Sequence, residues 1–139
     1  MDVFDFRERG RSRVDERTEK LAEVSIGAAI EVHRHLGPGL PENSYRSSMS
    51  HELTFLGVRH ACEVPFPILY KGEPVGEGRI DILVEDALIL ELKAVEALSP
   101  VHRAQVVTYL RVMNLKLGLL INFNVVLLKD GIKRVINTY

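Results

Sequence analysis

The residues best equipped for chemistry lie in one short stretch, RIDILVEDALILELKAV, from Arg79 to Val95. It consists of two apolar runs joined by an acidic turn, and it carries Asp81, Glu91 and Lys93. Strand side chains alternate between faces, so Ile80, Ile82 and Val84 share one face of the first run, and Leu88, Leu90 and Leu92 one face of the second. These six are what a β-hairpin buries. The opposite faces carry Arg79, Asp81 and Leu83, then Ile89, Glu91 and Lys93. A connection of about two or three residues around Glu85 and Asp86 sets Asp81 beside or opposite Glu91. Two carboxylates from neighbouring strands suit a hard divalent cation such as Mg²⁺, which keeps much of its water and takes few protein ligands. The carbonyl of Leu92 is a candidate further oxygen ligand. Lys93 would position or activate a water, or offset charge developing on a phosphate, and the reaction this favours is in-line phosphodiester hydrolysis. The plain alternative is a solvated strand face, on which Glu and Lys are ordinary residues.

Other residues fall within reach of this cluster. Gln105 and Tyr109 are four apart in a helical stretch and share a face, where both can hydrogen-bond. His102 lies one turn before Gln105; as a lone histidine it reads equally as a capping or surface residue. Glu42 falls in the first turn of an earlier helix, where a carboxylate suits the helix dipole, and Tyr45 lies one turn on. That pair reads equally as a helix-start Glu and a packed Tyr.

The elements that must position these groups follow from periodicity. Residues 1–16 are highly charged, apart from Val3, Phe4 and Phe6, and form a loosely held arm; 17–139 is a single domain. Thr18 to Leu36 reads as a helix with Leu21, Val24, Ala28, Val32 and Leu36 inward, stopped by Gly37-Pro38. A second helix runs from about Glu42 to Leu56, with Tyr45, Met49, Leu53 and Leu56 on its stripe. The stretch from Val58 to Tyr70 is extended, and Pro65 and Pro67 confine it to a sheet edge or a bend. KGEP at 71–74 is a turn into the acidic hairpin. Ser99 and Pro100 open a third helix that reaches about Met113, with Val101, Ala104, Val107 or Thr108, and Leu110 or Arg111 inward. KLGLLINFN and VVLLKDGIKRVIN read as strands, and Asp130-Gly131 as a two-residue hairpin turn. The order is α-α-β-β-β-α-β-β, an α/β arrangement of a mixed β-sheet flanked by helices.

Composition narrows the setting. With 139 residues, 18 Lys and Arg against 19 Asp and Glu, the chain has no overall basic field, so contact with a polyanion depends on a local patch. One cysteine, Cys62, precludes an internal disulfide and fits a reducing compartment. No apolar run approaches the roughly 18 residues needed to span a bilayer, and the first residues lack the apolar centre of a signal peptide. The expectation is a cytoplasmic protein without a membrane contact.

Further motifs add a resemblance. GLPENSY at 39–45 fits the pattern GxxExxY at Gly39, Glu42 and Tyr45, and RIDILVED, LELKAVEALSPVH, AQVVTYL and LGLLINFN follow in order. Together they resemble the GxxExxY proteins, themselves similar to the PD-(D/E)XK nuclease superfamily, over roughly Val24 to Asn137. Pro41 and Arg46-Ser47-Ser48 depart from that family's usual pattern. The resemblance implies a restriction-endonuclease-like fold, with Asp81 and Glu91-Leu92-Lys93 as the metal and catalytic positions and Glu42 as an acidic residue reaching the metal from an early helix. It also implies that Gln105 and Tyr109 lie beside the site and the substrate strand; Tyr45 and His102 are further candidates to line it, His102 at one remove at most. The expected function is Mg²⁺-dependent (or Mn²⁺-dependent) cleavage of nucleic acid, DNA or RNA. The alternative is a nuclease-fold binding or assembly module that keeps the metal and does no hydrolysis. A third reading is a homo-oligomer joined through the Phe-bearing arm or the edge near Pro65 to Tyr70.

Overall fold

The computed structural model describes residues 14–138. The arm expected at 1–16 therefore lies almost wholly outside the described residues. Helix α1 (Glu16–Leu36) starts two residues before the predicted position because Asp15 caps it, its carboxylate accepting from Thr18 N at 2.7 Å. Its buried stripe is Leu21, Ala22, Ser25, Ala28, Ala29 and Val32, with Val24 and Leu36 left at the margins. The small residues on that stripe let the helix approach the sheet closely. Helix α2 (Glu42–Phe55) buries Tyr45, Met49 and Leu53, as its periodicity predicts, while Leu56 is exposed.

Five strands follow: β1 (His60–Tyr70), β2 (Glu73–Val84), β3 (Leu88–Lys93), β4 (Leu117–Asn122) and β5 (Ile132–Ile136), with α3 (Pro100–Met113) between β3 and β4. They form one sheet in the order β1-β2-β3-β4-β5. Only β3 and β4 run parallel, and α3 is the crossover that a parallel pair requires. Pro65 and Pro67 do lie on an edge strand, β1. The α/β order and the mixed, helix-flanked sheet are those expected from the sequence.

Both faces of the sheet are covered. Ile82, Val84, Leu88, Leu90 and Leu92 pack with Leu119 and Ile121 beneath α1 and α2. Ile80, Leu83 and Ile89 pack with Leu120 and Val135 beneath Val106 and Leu110 of α3. Each such fully buried aliphatic contributes on the order of 1.5–3 kcal/mol.

Three expectations are corrected here. Ile80 is buried, but on the α3 side with Leu83 rather than beside Ile82. The β1–β2 register is unbroken here, with Cys62 opposite Ile82 and Val64 opposite Ile80, but the alternation of faces is lost beside Glu63, whose φ of 51° is left-handed. On α3 the buried face is Val106 and Leu110, whereas Val101 is 74% exposed. Gly118 decides this, since a Cβ there would come within 2.8 Å of Val106 Cγ1 and the bare backbone admits the helix. Finally, VVLLKDG does not extend β5. Leu128–Gly131 is a 3₁₀ turn, and Leu128 packs into the core while Val125 O accepts from His33 Nε2 at 2.8 Å. Gly131 closes the turn against the Asn122 carbonyl, where a side chain has no room.

Candidate active site

The β2–β3 hairpin turns through Glu85 and Asp86, both left-handed at φ 48° and 55°, and pairs Ile82 with Leu90. Continuing that register sets Asp81 across from Glu91. There the main-chain ladder gives way to side chains. Asp81 N donates to Glu91 Oε2 at 2.8 Å, and Leu92 N donates to Asp81 Oδ2 at 2.8 Å. Each carboxylate thus fills a main-chain donor of the other strand and is locked in orientation by it, with a second oxygen left over.

Burial makes these groups hard to ionise. Glu91 is only 3% exposed; burial first, then the charge of Asp81, pushes its carboxyl up to about 8. Asp81 is also raised, chiefly by burial, with Leu92 N, Arg46 and Lys93 pulling the other way. Glu42, projecting from the first turn of α2, is raised by burial and then by Asp81. Carboxyls raised together mean excess negative charge in a poorly hydrated place.

Lys93 is anchored on the α3 side. Its Nζ donates to Gln105 Oε1 at 2.9 Å, and Gln105 Nε2 donates to the Tyr109 hydroxyl at 3.0 Å. Tyr109 packs edge-on against Phe66 at 4.9 Å, and burial and then Glu91 raise its hydroxyl pKa. Ser99 and Pro100 open α3 as the sequence predicts, and His102 closes the capping box, its Nδ1 accepting from Ser99 N at 3.0 Å. Behind the site, Asn122 Oδ1 accepts from Val95 N and Asn122 Nδ2 donates to Val95 O, fixing the chain as it leaves β3.

Tyr45 is not at the surface of this cleft. It is fully buried and stacks on Phe123 with ring centroids 4.6 Å apart. Its hydroxyl donates to Gly37 O at 2.7 Å and accepts from Leu40 N at 3.1 Å. It clasps the loop that leads into Glu42, so the Glu and Tyr of GxxExxY do different work: one faces the carboxylates and the other holds its support. The packed-tyrosine alternative describes its surroundings.

Two neighbours were not anticipated. Arg46 NH1 stands 3.9 Å from Asp81 Oδ1, and Arg46 NH2 stands 4.0 Å from Glu63 Oε1. Glu63 faces Asp81 across β1 and β2 and also approaches Arg79 NH1 at 3.9 Å. Arg46 is one turn beyond Glu42, a spacing that offers a cue; the place of Glu63 depends on the β1–β2 register and has none.

No group of three or more His, Cys, Asp or Glu among the described residues is gathered closely enough to form a protein-only metal cage. The donor set still fits a hard cation that keeps its waters: Glu91 Oε1 and the Glu42 carboxylate have no hydrogen-bond partner among the described residues, and both carboxyls are raised, first by burial and then by the charge of Asp81. Cavities of about 460 and 420 Å³ lie elsewhere, between α1 and α2 and beside Arg103 and Lys133. Among the described residues no helix is long and apolar enough to cross a membrane.

Compared with known proteins, residues 19–135 match the family model described as the PD-(D/E)XK nuclease superfamily. No curated protein and no solved structure gave a significant match.

Proposed function

The chain belongs to the PD-(D/E)XK nuclease superfamily, with its restriction-endonuclease-like fold, and from that premise we propose a divalent-metal-dependent nuclease that hydrolyses phosphodiester bonds of DNA or RNA. The observation that carries this reading is the exchange between Asp81 and Glu91, each orienting the other, beside a Lys93 already held by Gln105. Asp81, Glu91 and the Leu92 carbonyl would hold Mg²⁺ or Mn²⁺, with Glu42 as an auxiliary ligand. A cation there supplies a more acidic water and neutralises charge on the phosphate. Lys93 Nζ, tethered at one donor, has others to offer a phosphate oxygen or a water. Gln105 and Tyr109 set its direction, and Tyr45 and His102 support the elements around the site. The lone, exposed thiol of Cys62 suits a reducing compartment such as the cytoplasm.

The decisive experiment is titration calorimetry with Mg²⁺ and Mn²⁺, followed by incubation with mixed DNA and RNA, on the parent and on Asp81→Asn. Metal binding and cleavage, both absent from a folded Asp81→Asn protein, are the expected outcome. A folded variant that cleaves as well as the parent would sink the reading. The second reading, a non-catalytic binding or assembly module, is favoured by the net charge of −1, which gives no field to gather a polyanion. Metal binding without turnover on any polynucleotide would select it.

A further inference from the structure

The guanidinium of Arg46 is incompletely used. Its side chain is 18% exposed, and its one hydrogen bond among the described residues goes from NH2 to Asn43 Oδ1. The distances of 3.9 Å to Asp81 and 4.0 Å to Glu63 are too long for the charge-assisted hydrogen bonds that arginine normally makes to carboxylates, about 2.7–2.9 Å. The cation is held by one amide oxygen and by the charge of two acids, with most of its five N–H donors unfilled. Arg46 lies four residues after Glu42 on α2 and so shares its face. It stands on the opposite flank of the carboxylates from Lys93, which is tied to Gln105 on α3.

A planar fork of donors with one amide acceptor, Asn43 Oδ1, and no anion at bonding distance, beside an acidic site, suits a tetrahedral oxyanion better than a carboxylate it already fails to reach. We propose that Arg46 is a phosphate-binding residue of this site, gripping a nucleic-acid phosphate from the α2 side while Lys93 faces it from the α3 side. Glu63 and Asp81 hold the guanidinium in place until the phosphate arrives. Glu63 does so from a left-handed backbone, φ 51°, a conformation that a non-glycine residue adopts at a cost and that recurs at ligand-binding positions. This inference rests on the nuclease reading and adds a residue to it.

The test is fluorescence anisotropy with fluorescein-labelled single-stranded DNA and RNA oligonucleotides, with Ca²⁺ in place of Mg²⁺ and strand integrity checked on a gel. Mn²⁺ affinity is measured in parallel by calorimetry without oligonucleotide. The proteins are the parent, Arg46→Met, Arg46→Lys, Glu63→Gln and, as a control far from the site, Arg34→Met. Arg46→Met is expected to weaken oligonucleotide binding about 10-fold, the usual worth of a hydrogen bond to a charged group. It should also flatten the salt dependence, log K against log salt, by about 0.7 for one phosphate contact on a single strand. Its Mn²⁺ affinity should stay level or tighten, because a positive charge has left. Arg46→Lys should fall between it and the parent, and Glu63→Gln should bind oligonucleotide more tightly. An Arg46→Met protein with the parent's affinity and slope overturns the inference and leaves the nuclease reading standing. Parallel loss of Mn²⁺ and oligonucleotide affinity makes Arg46 a prop for Asp81, and overturns it too. A parent that binds neither oligonucleotide sinks the nuclease reading and this inference with it. If Arg46→Met fails to fold, Arg46→Lys, which keeps the charge and loses the fork, is judged on oligonucleotide and Mn²⁺ affinity alone, and parental oligonucleotide affinity there overturns the inference.

Discussion

Burial sets the ionisation of Glu91. Its folded carboxyl titrates near 8 against an ordinary 4.5, so the folded state holds this proton more tightly than the unfolded chain. Its contribution is fully present below about pH 4.5 and is lost as the pH climbs through about 8. Glu91→Gln, which mimics the protonated acid, should therefore melt several degrees higher than the parent at pH 8 in the absence of metal. The two should nearly coincide at pH 5. A scanning-fluorimetry series from pH 5 to pH 8 that shows parallel curves would remove burial of the charge as the cause. The same variant should lose metal affinity, since stabilising the site and using it make opposite demands on that side chain. Gln105 accepts from Lys93 Nζ, and on the proposed nuclease reading it positions that lysine. Gln105→Leu should lower kcat about 10-fold or more with KM little changed, and the pH profile of kcat should shift as Lys93 loses its tether. A change confined to KM would place Gln105 on the substrate instead.

Secondary elements here act as brackets for side chains on other elements. Tyr45 fastens the Gly37–Leu40 loop to α2 and thereby sets where Glu42 projects. Tyr45→Phe keeps the stack on Phe123 and removes the hydroxyl, leaving Gly37 O and Leu40 N without it. A loss of about 1–2 kcal/mol in urea denaturation is expected, with metal affinity reduced only as far as Glu42 contributes to it. On the other face, α3 sits against β4 because Gly118 has no side chain. Gly118→Ala would press on Val106, 2.8 Å from the new Cβ, at a cost of about 1–3 kcal/mol. It should also move Gln105 and Tyr109 relative to Lys93. Unchanged stability in that variant would show that α3 has slack at this contact.

For the molecule as a whole, charge and surface set the terms of binding. The net charge is −1 and the site itself is acidic, so attraction to a polyanion must be local and conditional on neutralising the carboxylates. Oligonucleotide affinity is expected to rise at least 10-fold on adding millimolar Ca²⁺ and to decline steeply from 50 to 200 mM salt. Affinity indifferent to both would direct attention away from the carboxylate site. The β1–β2 hairpin ends in exposed Ile68, Leu69 and Tyr70, on the edge strand named above as a self-association surface, with exposed Val75 on β2. Light scattering at high concentration tests that reading, and a monomer disposes of it. Leu69→Lys should alter thermal stability by no more than about 0.5 kcal/mol, the usual range at an exposed position.

Much of this structure is legible in the chain because it depends on neighbours in sequence. The hairpin that brings Asp81 to Glu91 follows from a period of two and a short acidic turn. The start of α3 follows from Ser99-Pro100, and the pairing of Gln105 with Tyr109 from helical spacing. Even Tyr45 as a packed residue, rather than a lining one, was open in the stripe it shares with Met49 and Leu53. What the chain conceals depends on register between distant segments. The left-handed residue at Glu63 beside which Ile80 comes to lie on the α3 side, the approach of α3 to Gly118, and the fold-back of Val125 and Leu128 over α1 have no local period to announce them. The same holds for Arg46, parked between acids that lie 17 and 35 residues away in sequence, at Glu63 and Asp81. Local sterics and hydrogen bonding set each element alone; which charges end up facing one another is decided only when strands choose partners and helices choose the face they bury.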